Sequence, residues 1–344
     1  MPASPDALHI GARVVVRYRL EPSETRATPG HPTMTDALGD LVHRDAAVLV
    51  VETRRGRVSV PRERVVTVKE VPPAPSRRAA PAHLALSVTD MARVTAPSWG
   101  ALEREPLGDW ELRASHGFTQ RGSSALALGD PGLALPDAVD HVEHWYAVRA
   151  LPPRVALPGP TGFDPGGDPV GAELLARGWT AGGRSLTLTA PTAVVAAADP
   201  GGPGVTVTEE LDEPWLEAYR RSRTVVESAV VAVLTGSPRQ LFARVDAEDG
   251  PGGQQHQQSP VAIGRLAVAH GWAGLGAVWT DPSARGRGLA RHLTARLVAH
   301  AAADGIRLVH LQVEADNLTA LALYGRLGFE AHSEYAHLTG PERS

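Results

Sequence analysis

Residues 275–293 read LGAVWTDPSARGRGLARHL. The apolar run ending in Trp279 and Thr280 predicts a strand over 275–280. A glycine- and arginine-rich turn follows, then the periodicity of a helix over 289–303. Arg285, Gly286, Arg287, Gly288, Leu289 and Ala290 thus stand where the helix begins. The first backbone N–H groups of a helix lack internal partners, and the macrodipole is positive there, so this turn is a seat for a phosphate anion. Glycine at 286 and 288 permits positive φ and close approach of a ligand to the backbone. Arg285 and Arg287 add charge-assisted donors suited to a pyrophosphate. An ordinary strand-to-helix connection could share the turn, but the downstream context sharpens the reading. LVHLQVEADN (308–317) predicts a strand over 307–313, ALALYGRLGF (320–329) a helix over 320–327, and a last strand falls on 335–338.

The same pattern occurs earlier. AELLARGWTAGGRSLTLTA (172–190) lies without gaps over ALYGRLGFEAHSEYAHLTG (322–340) at a constant offset of 150. Gly178 then matches Gly328, and Trp179 matches Phe329. With a small shift the preceding helix and strand match too, which favours a duplication over two unrelated α/β units. The differences are informative. Where the second copy has ARGRGLA, the first has GLALP, and Leu174 stands where the second copy has Tyr324. If the motif is chemical, only the second copy retains it.

Working outward, residues 205–340 begin with a strand over 205–209 and helices over 214–223 and 224–234. Strands over 241–246 and 261–268 flank the polar tip EDGPGGQQHQQSP. Residues 82–200 form the matching earlier segment. It has a helix over 82–96, strands at 110–113 and 124–128, an amphipathic helix over 136–149, a strand at 154–157 and a helix over 170–177. APTAVVAAADPGGPG (190–204) marks a boundary. Residues 1–70 alternate as short strands at 10–18, 37–42, 48–52, 58–60 and 65–68, with a turn at Arg55 and Gly56. Closure removes exposed strand edges, so a small barrel is expected. VPPAPSRRAAP (71–81) reads as a linker.

Composition narrows the chemistry. Among 344 residues there is no cysteine, which excludes disulfides, thiolate metal sites and a cysteine nucleophile. The His141 and His144 spacing and the GQQHQQS loop do not read as metal sites, so no metal is expected. The net charge of −4 gives no pull toward nucleic acid or an anionic membrane. No apolar run is long enough to span a bilayer, and no export signal is legible, so a cytoplasmic location is expected.

The signature carried by Arg285, Gly288 and Ala290, with Asn317, Tyr324 and the Gly328-Phe329 close, resembles the acetyl-CoA signature of the GNAT superfamily of N-acyltransferases. The close match covers about 65 residues, and the outline covers 205–340. The whole chain is similar to an actinobacterial group with a small SH3-like barrel ahead of tandem GNAT units, members of which act as N-acetylglutamate synthases. GDWELRASHGFTQRGSSAL (108–126) carries that resemblance in the first unit.

The resemblance implies an α/β fold in which two parallel strands, here 275–280 and 307–313, splay to admit the pantetheine of acetyl-CoA. Val278, Trp279, Thr280, the turn 285–290, Asn317 and Tyr324 would hold that co-substrate. The Val278 N–H would polarise the thioester carbonyl. Tyr324 would protonate the leaving thiolate, and Glu314 is the candidate base, with Asp316 its rival on charge. Arg113 and Arg121, in the first unit, are candidates to grip a substrate carboxylate. The expected acceptor is a small primary amine, L-glutamate among the candidates. A peptide acetyltransferase that docks its target on the barrel and a non-catalytic acyl-CoA sensor are the alternatives. Oligomeric state is not legible.

Overall fold

The computed structural model describes residues 10, 12–21, 33–53, 56–70, 81–247 and 259–341. The chain divides into two compact units, Met1–Ala79 and Ala80–Ser344. The expected linker 71–81 (save Pro81), Arg55 of the expected turn and most of the polar tip after 246 lie outside the described residues.

In the first unit β1 (Arg13–Arg19), β2 (Met34–Arg44), β3 (Val48–Thr53), β4 (Gly56–Pro61) and β5 (Val65–Glu70) form one antiparallel sheet in the order β4-β3-β2-β1-β5. Alternation sends Val14, Val16, Leu41, Leu49, Val51, Val60 and Val68 into a common core. Among the described residues β4 and β5 are the sheet edges, joined by a 3-10 turn over Arg62–Arg64. The described pairings therefore form an open sheet, where the sequence reading expected a closed barrel.

The second unit begins with α1 (Val88–Thr95), capped by the Ser87 side chain. The helix expected over 82–96 is split, because Ser87 turns the chain to extended φ/ψ and Ala82–Leu84 forms a separate 3-10 turn. Next come β6 (Glu103–Leu107), β7 (Trp110–Ala114), β8 (Ala125–Leu126), α2 (Leu135–Ala147), β9 (Arg154–Gly159), α3 (Pro169–Ala176) and β10 (Thr180–Pro191). The supposed boundary at 190–204 contains a further helix, α4 (Thr192–Ala197). It is anchored by buried Val195 and by the Thr192 hydroxyl donating to the Ile306 carbonyl. Then follow β11 (Thr206–Thr208), α5 (Glu213–Ser222), α6 (Glu227–Thr235), β12 (Arg239–Asp246), β13 (Pro260–Ala269), β14 (Trp272–Thr280), α7 (Leu289–Ala303), β15 (Leu308–Glu314), α8 (Leu318–Arg326) and β16 (Glu330–Thr339).

All eleven strands of this unit belong to one sheet, ordered β11-β12-β13-β14-β15-β10-β16-β9-β8-β7-β6. Among the described residues only β14–β15 and β8–β9 are parallel. From the central β10–β16 pair the order runs outward alike in both directions. The last strand of each half pairs with the other half: β10 lies against β15, and β16 against β9. The segments expected at 82–200 and 205–340 thus share one sheet and one run of backbone hydrogen bonds. Among the described residues no helix is long and apolar enough to cross a membrane.

Candidate active site

The parallel pair β14–β15 holds register only from Trp272 with Leu308 to Leu275 with Leu311. Beyond that point the strands part. The cause is local to β14. On its other side Gly276 pairs with Arg265 but Trp279 pairs with Ile263, so β14 carries an extra residue there. Ala277, within the bulge, takes φ 52, in the left-handed region. Among the described residues Val278 lies within the bulge and has no register partner in either ladder.

The parting opens a cleft of about 620 Å³. Leu275, Gly276, Ala277 and Val278 form one lip, and Leu311, Gln312, Val313 and Glu314 the other. The cleft passes through the sheet. Leu311, Val313 and Tyr324 belong to the apolar layer that includes α7. Gln312 faces the other side, where its amide donates to Thr95 of α1 and Thr187 of β10.

At the head of α7, Gly286 and Gly288 both take left-handed backbone, with φ of 78° and 77°. A Cβ at either would meet nothing within 4 Å, so protein packing does not explain these glycines; the conformation and the open space beside them do. Gly288 is the N-cap of a helix whose first turn receives no side-chain cap. Arg285 and Arg287 are exposed on the same turn, and Arg285 Nε donates to the Thr280 carbonyl at 3.3 Å. Leu289 is buried and locks the helix start into the core. Unsatisfied N–H groups, two exposed guanidiniums and empty space fit a pyrophosphate.

Helix α8 places Tyr324 against the cleft. Its ring meets Phe329 edge-on at 5.7 Å, and burial pushes the phenol up to about 12. Asn317 is the N-cap of α8, its side-chain oxygen accepting from Ala320 N–H at 3.1 Å, and it also lines the cleft. Glu314 lies on the cleft wall; Asp316 is exposed and is not among the lining residues. Trp279 and Thr280 continue β14 toward the turn, with the Trp279 ring under Arg221 at 5.4 Å.

Arg121 and Arg113 separate in the structure. Arg121 lines the main cleft and a smaller cavity beneath α1. Arg113 reaches only the smaller cavity, is 2% exposed, and gives Nε and Nη2 to the Ser124 carbonyl and hydroxyl at 3.0 and 3.3 Å. Arg113 is thus tied to Ser124 and, unlike Arg121, is not among the residues that line the main cleft.

Several cleft residues escaped the sequence reading. Trp99 forms a wall with Arg121 over its ring at 5.5 Å and Arg265 at 5.4 Å. Arg265 is fully buried and bonds the Leu234 and Ser98 carbonyls and the Ser237 hydroxyl, tying the Trp99 turn to α6. Burial holds its guanidinium down at about 10, still cationic at neutral pH. Arg223, Thr224, Val225 and Val226 line the cleft because α6 begins at Glu227, three residues later than the periodicity implied. Tyr335 and His337 arrive on β16. Their alternation in SEYAHL was visible, but only the strand pairing shows which cavity they reach.

The corresponding place in the first half is different. β8 has two residues and pairs with β9 at Ala125 and Leu126. α2 begins at Leu135 with proline in its first turn, which removes one of the N–H donors an anion would need.

Comparison with known proteins agrees with this geometry. Residues 87–338 match the family model described as "Probable histone acetyltransferase Rv0428c C-terminal", and residues 8–69 match "Rv0428c N-terminal Sm-like domain". The small β unit is therefore Sm-like, which replaces the expected SH3-like barrel. The chain is 33% identical over 150 residues to the probable histone acetyltransferase Rv0428c of Mycobacterium tuberculosis, a stretch covering 43% of this chain and 44% of that one. It thus aligns with less than half the length of that relative. It is 24% identical over 247 residues to the uncharacterized N-acetyltransferase YobR of Bacillus subtilis, covering 71% of this chain and 94% of that one. A solved GCN5-related N-acetyltransferase from Kribbella flavida superposes with a TM-score of 0.53 at 20% identity, covering 74% of this chain and 96% of that one, and so shares the fold. With the family match spanning most of the chain, and the splayed strands and glycine turn where that fold requires them, this protein belongs to the GNAT-type acetyltransferase family typified by Rv0428c, with an Sm-like N-terminal domain.

Proposed function

We propose that this enzyme moves an acetyl group from acetyl-CoA to a primary amine by direct attack in the cleft between β14 and β15. The observation that carries the reading is the coincidence of the parted strands with the unfilled turn 285–290 and with Tyr324 on the same cleft. Acetyl-CoA supplies a thioester carbon open to a neutral amine. The turn 285–290 would hold the pyrophosphate, and Asn317 the pantetheine arm. The Val278 N–H would polarise the thioester carbonyl as negative charge develops on its oxygen. The Tyr324 hydroxyl would donate to the departing sulfur. Glu314, at the open end of the cleft, is the candidate to take the amine's proton. We read the two halves as a duplication in which only the second keeps the nucleotide seat, so one acetyl-CoA binds per chain.

The test is thiol release by the purified chain with acetyl-CoA and a panel of amines that includes L-glutamate and a lysine peptide. Calorimetry of acetyl-CoA should give a stoichiometry near one; two equivalent sites would end the one-seat reading. A protein acceptor is the second reading, favoured by the name of the Mycobacterium tuberculosis relative. A non-catalytic sensor would bind acetyl-CoA and release no thiol with any amine.

A further inference from the structure

We propose that Arg121, Tyr335 and His337 form an acceptor subsite for a small amino-acid-like carboxylate, on the sheet face opposite α8. This rests on the acetyl-transfer reading and names the class of its substrate.

His337 is 4% exposed and lines the cleft, yet neither ring nitrogen has a hydrogen-bond partner among the described residues. Buried polar groups are nearly always partnered, so a cleft-lining residue whose two buried ring nitrogens both lack partners calls for a ligand. Arg121 repeats the pattern. Its Nη2 donates to the Tyr335 hydroxyl at 3.3 Å, while its Nε is buried with no partner. Tyr335 in turn packs edge-on against His337 at 5.1 Å. The three side chains are contiguous, and two elements far apart in sequence supply them.

The vacant groups specify the ligand. A guanidinium N–H is a donor only, and a neutral imidazole offers one donor and one acceptor. Two donors on one wall match the two oxygens of a carboxylate. The remaining imidazole nitrogen accepts, which suits an N–H of the same molecule. Burial, together with the charges of Arg121, Arg113 and Arg154, holds the His337 imidazole down at about 3, so it is neutral at working pH.

Charge and shape among the described residues favour a small acid over a basic polypeptide. The cleft lining carries Arg121 and Arg223 against a single carboxylate, Glu314. Behind it stands Arg113, and the nearby Glu334 is already paired with Arg184. A lysine-rich segment would meet like charge at this end. The inner cavity that continues past Arg121, Gln312 and Tyr335 has room for only about 30 Å³, roughly one water. The subsite therefore closes behind a small head group at its inner end.

The test is calorimetric titration of the full chain saturated with CoA. L-alanine, L-leucine and L-glutamate are compared with their α-carboxamides and with a lysine-rich peptide. At least one acid should bind saturably, with its amide weaker by about tenfold to a hundredfold. Arg121→Met and His337→Phe should each weaken that acid about tenfold or more, with CoA affinity unchanged and circular dichroism native. Arg121→Lys and His337→Gln, which restore a donor, should recover part of the loss. Equal binding of acids and amides, binding of the peptide alone, or no binding by any acid overturns the proposal. CoA binding is measured first in the same cell. Its absence would refute the acetyl-CoA reading separately, and the acids are then titrated into the free chain with the same criteria.

Discussion

Tyr324, the proposed donor to the leaving sulfur, shows what burial does to a phenol. A phenol held up at about 12 keeps its proton at every practical assay pH. No alkaline limb of the pH–rate profile below about pH 11 should belong to it. A thiol's ordinary value is about 8.5, so full proton transfer from this phenol to a thiolate is uphill. The hydroxyl acts chiefly as a hydrogen-bond donor to the sulfur as charge develops. Tyr324→Phe should then lower kcat by about 10²-fold, the low end for a positioned acid or donor, with little change in KM for acetyl-CoA. Near-normal single-turnover rates in this variant would reduce Tyr324 to packing. His310 and His337 give a prediction about stability. Burial depresses both from 6.5 to about 3. Below pH about 6.5 the unfolded chain therefore binds protons that the folded chain refuses. Their contribution is complete above that value and is lost as pH falls toward about 3. His310→Gln, which can still bond to Ser98 but cannot take a proton, should flatten the decline in denaturant midpoint across this window. An unchanged slope would mean that His310 is not protected from protons as its burial implies.

At the scale of single elements, the start of α7 and the bulge in β14 do most to make the site. Gly288→Glu places a side chain and a negative charge in the phosphate seat, on a residue at φ 77. Left-handed backbone costs an L-residue about 1–2 kcal/mol, so the variant should fold with modestly reduced stability and show no acetyl-CoA binding by calorimetry. Retained affinity would place the nucleotide elsewhere. Ala277, at φ 52, sets the bulge that parts β14 from β15. Ala277→Gly should be accommodated with acetyl-CoA affinity intact. Ala277→Val, a β-branched residue in left-handed backbone, should lower the melting temperature and weaken acetyl-CoA binding together. If the valine variant binds normally, the cleft does not depend on this bulge. The strand and the turn were legible from residues 275–293. The bulge was not, because glycine and alanine at 276 and 277 fit a regular strand equally well. Only the pairing with Ile263 and Arg265 reveals the extra residue.

For the second unit taken whole, exchange of the last strands makes the two halves interdependent. β10 closes the edge of β15, and β16 closes the edge of β9. A fragment ending at 200 or beginning at 201 would expose a long unpaired strand edge, which promotes association. Each fragment expressed alone should aggregate or self-associate. The two expressed together should elute as one complex by size-exclusion chromatography. Two well-behaved monomeric fragments would contradict the interdependence. The same exchange brings β16 and its Tyr335 and His337 beside the strands of the first half. That is how the first half comes to furnish the far wall of the cleft, through Trp99, Gly117–Arg121 and their neighbours.

Local chemistry determined much of this protein. The glycine turn at 285–290 follows from short-range backbone preference, and the alternation of 1–70 and 335–338 from the two-residue period of strands. The match of 172–190 with 322–340 predicted a second unit of the same pattern, and the missing arginines and the leucine at 174 distinguished the two segments. What only tertiary structure decided is which residues meet. The sequence reading grouped Arg113 with Arg121, yet one is bonded to Ser124 and the other faces the cleft. His337 passed as an ordinary strand residue until pairing made it a cleft-lining residue whose buried ring nitrogens lack partners. Order within a sheet depends on long-range hydrogen bonding between segments that carry no local mark of their partners. The proposed nucleotide seat, built from consecutive residues, could therefore be named in advance, whereas the proposed acceptor side, assembled from residues 99 to 337, could not.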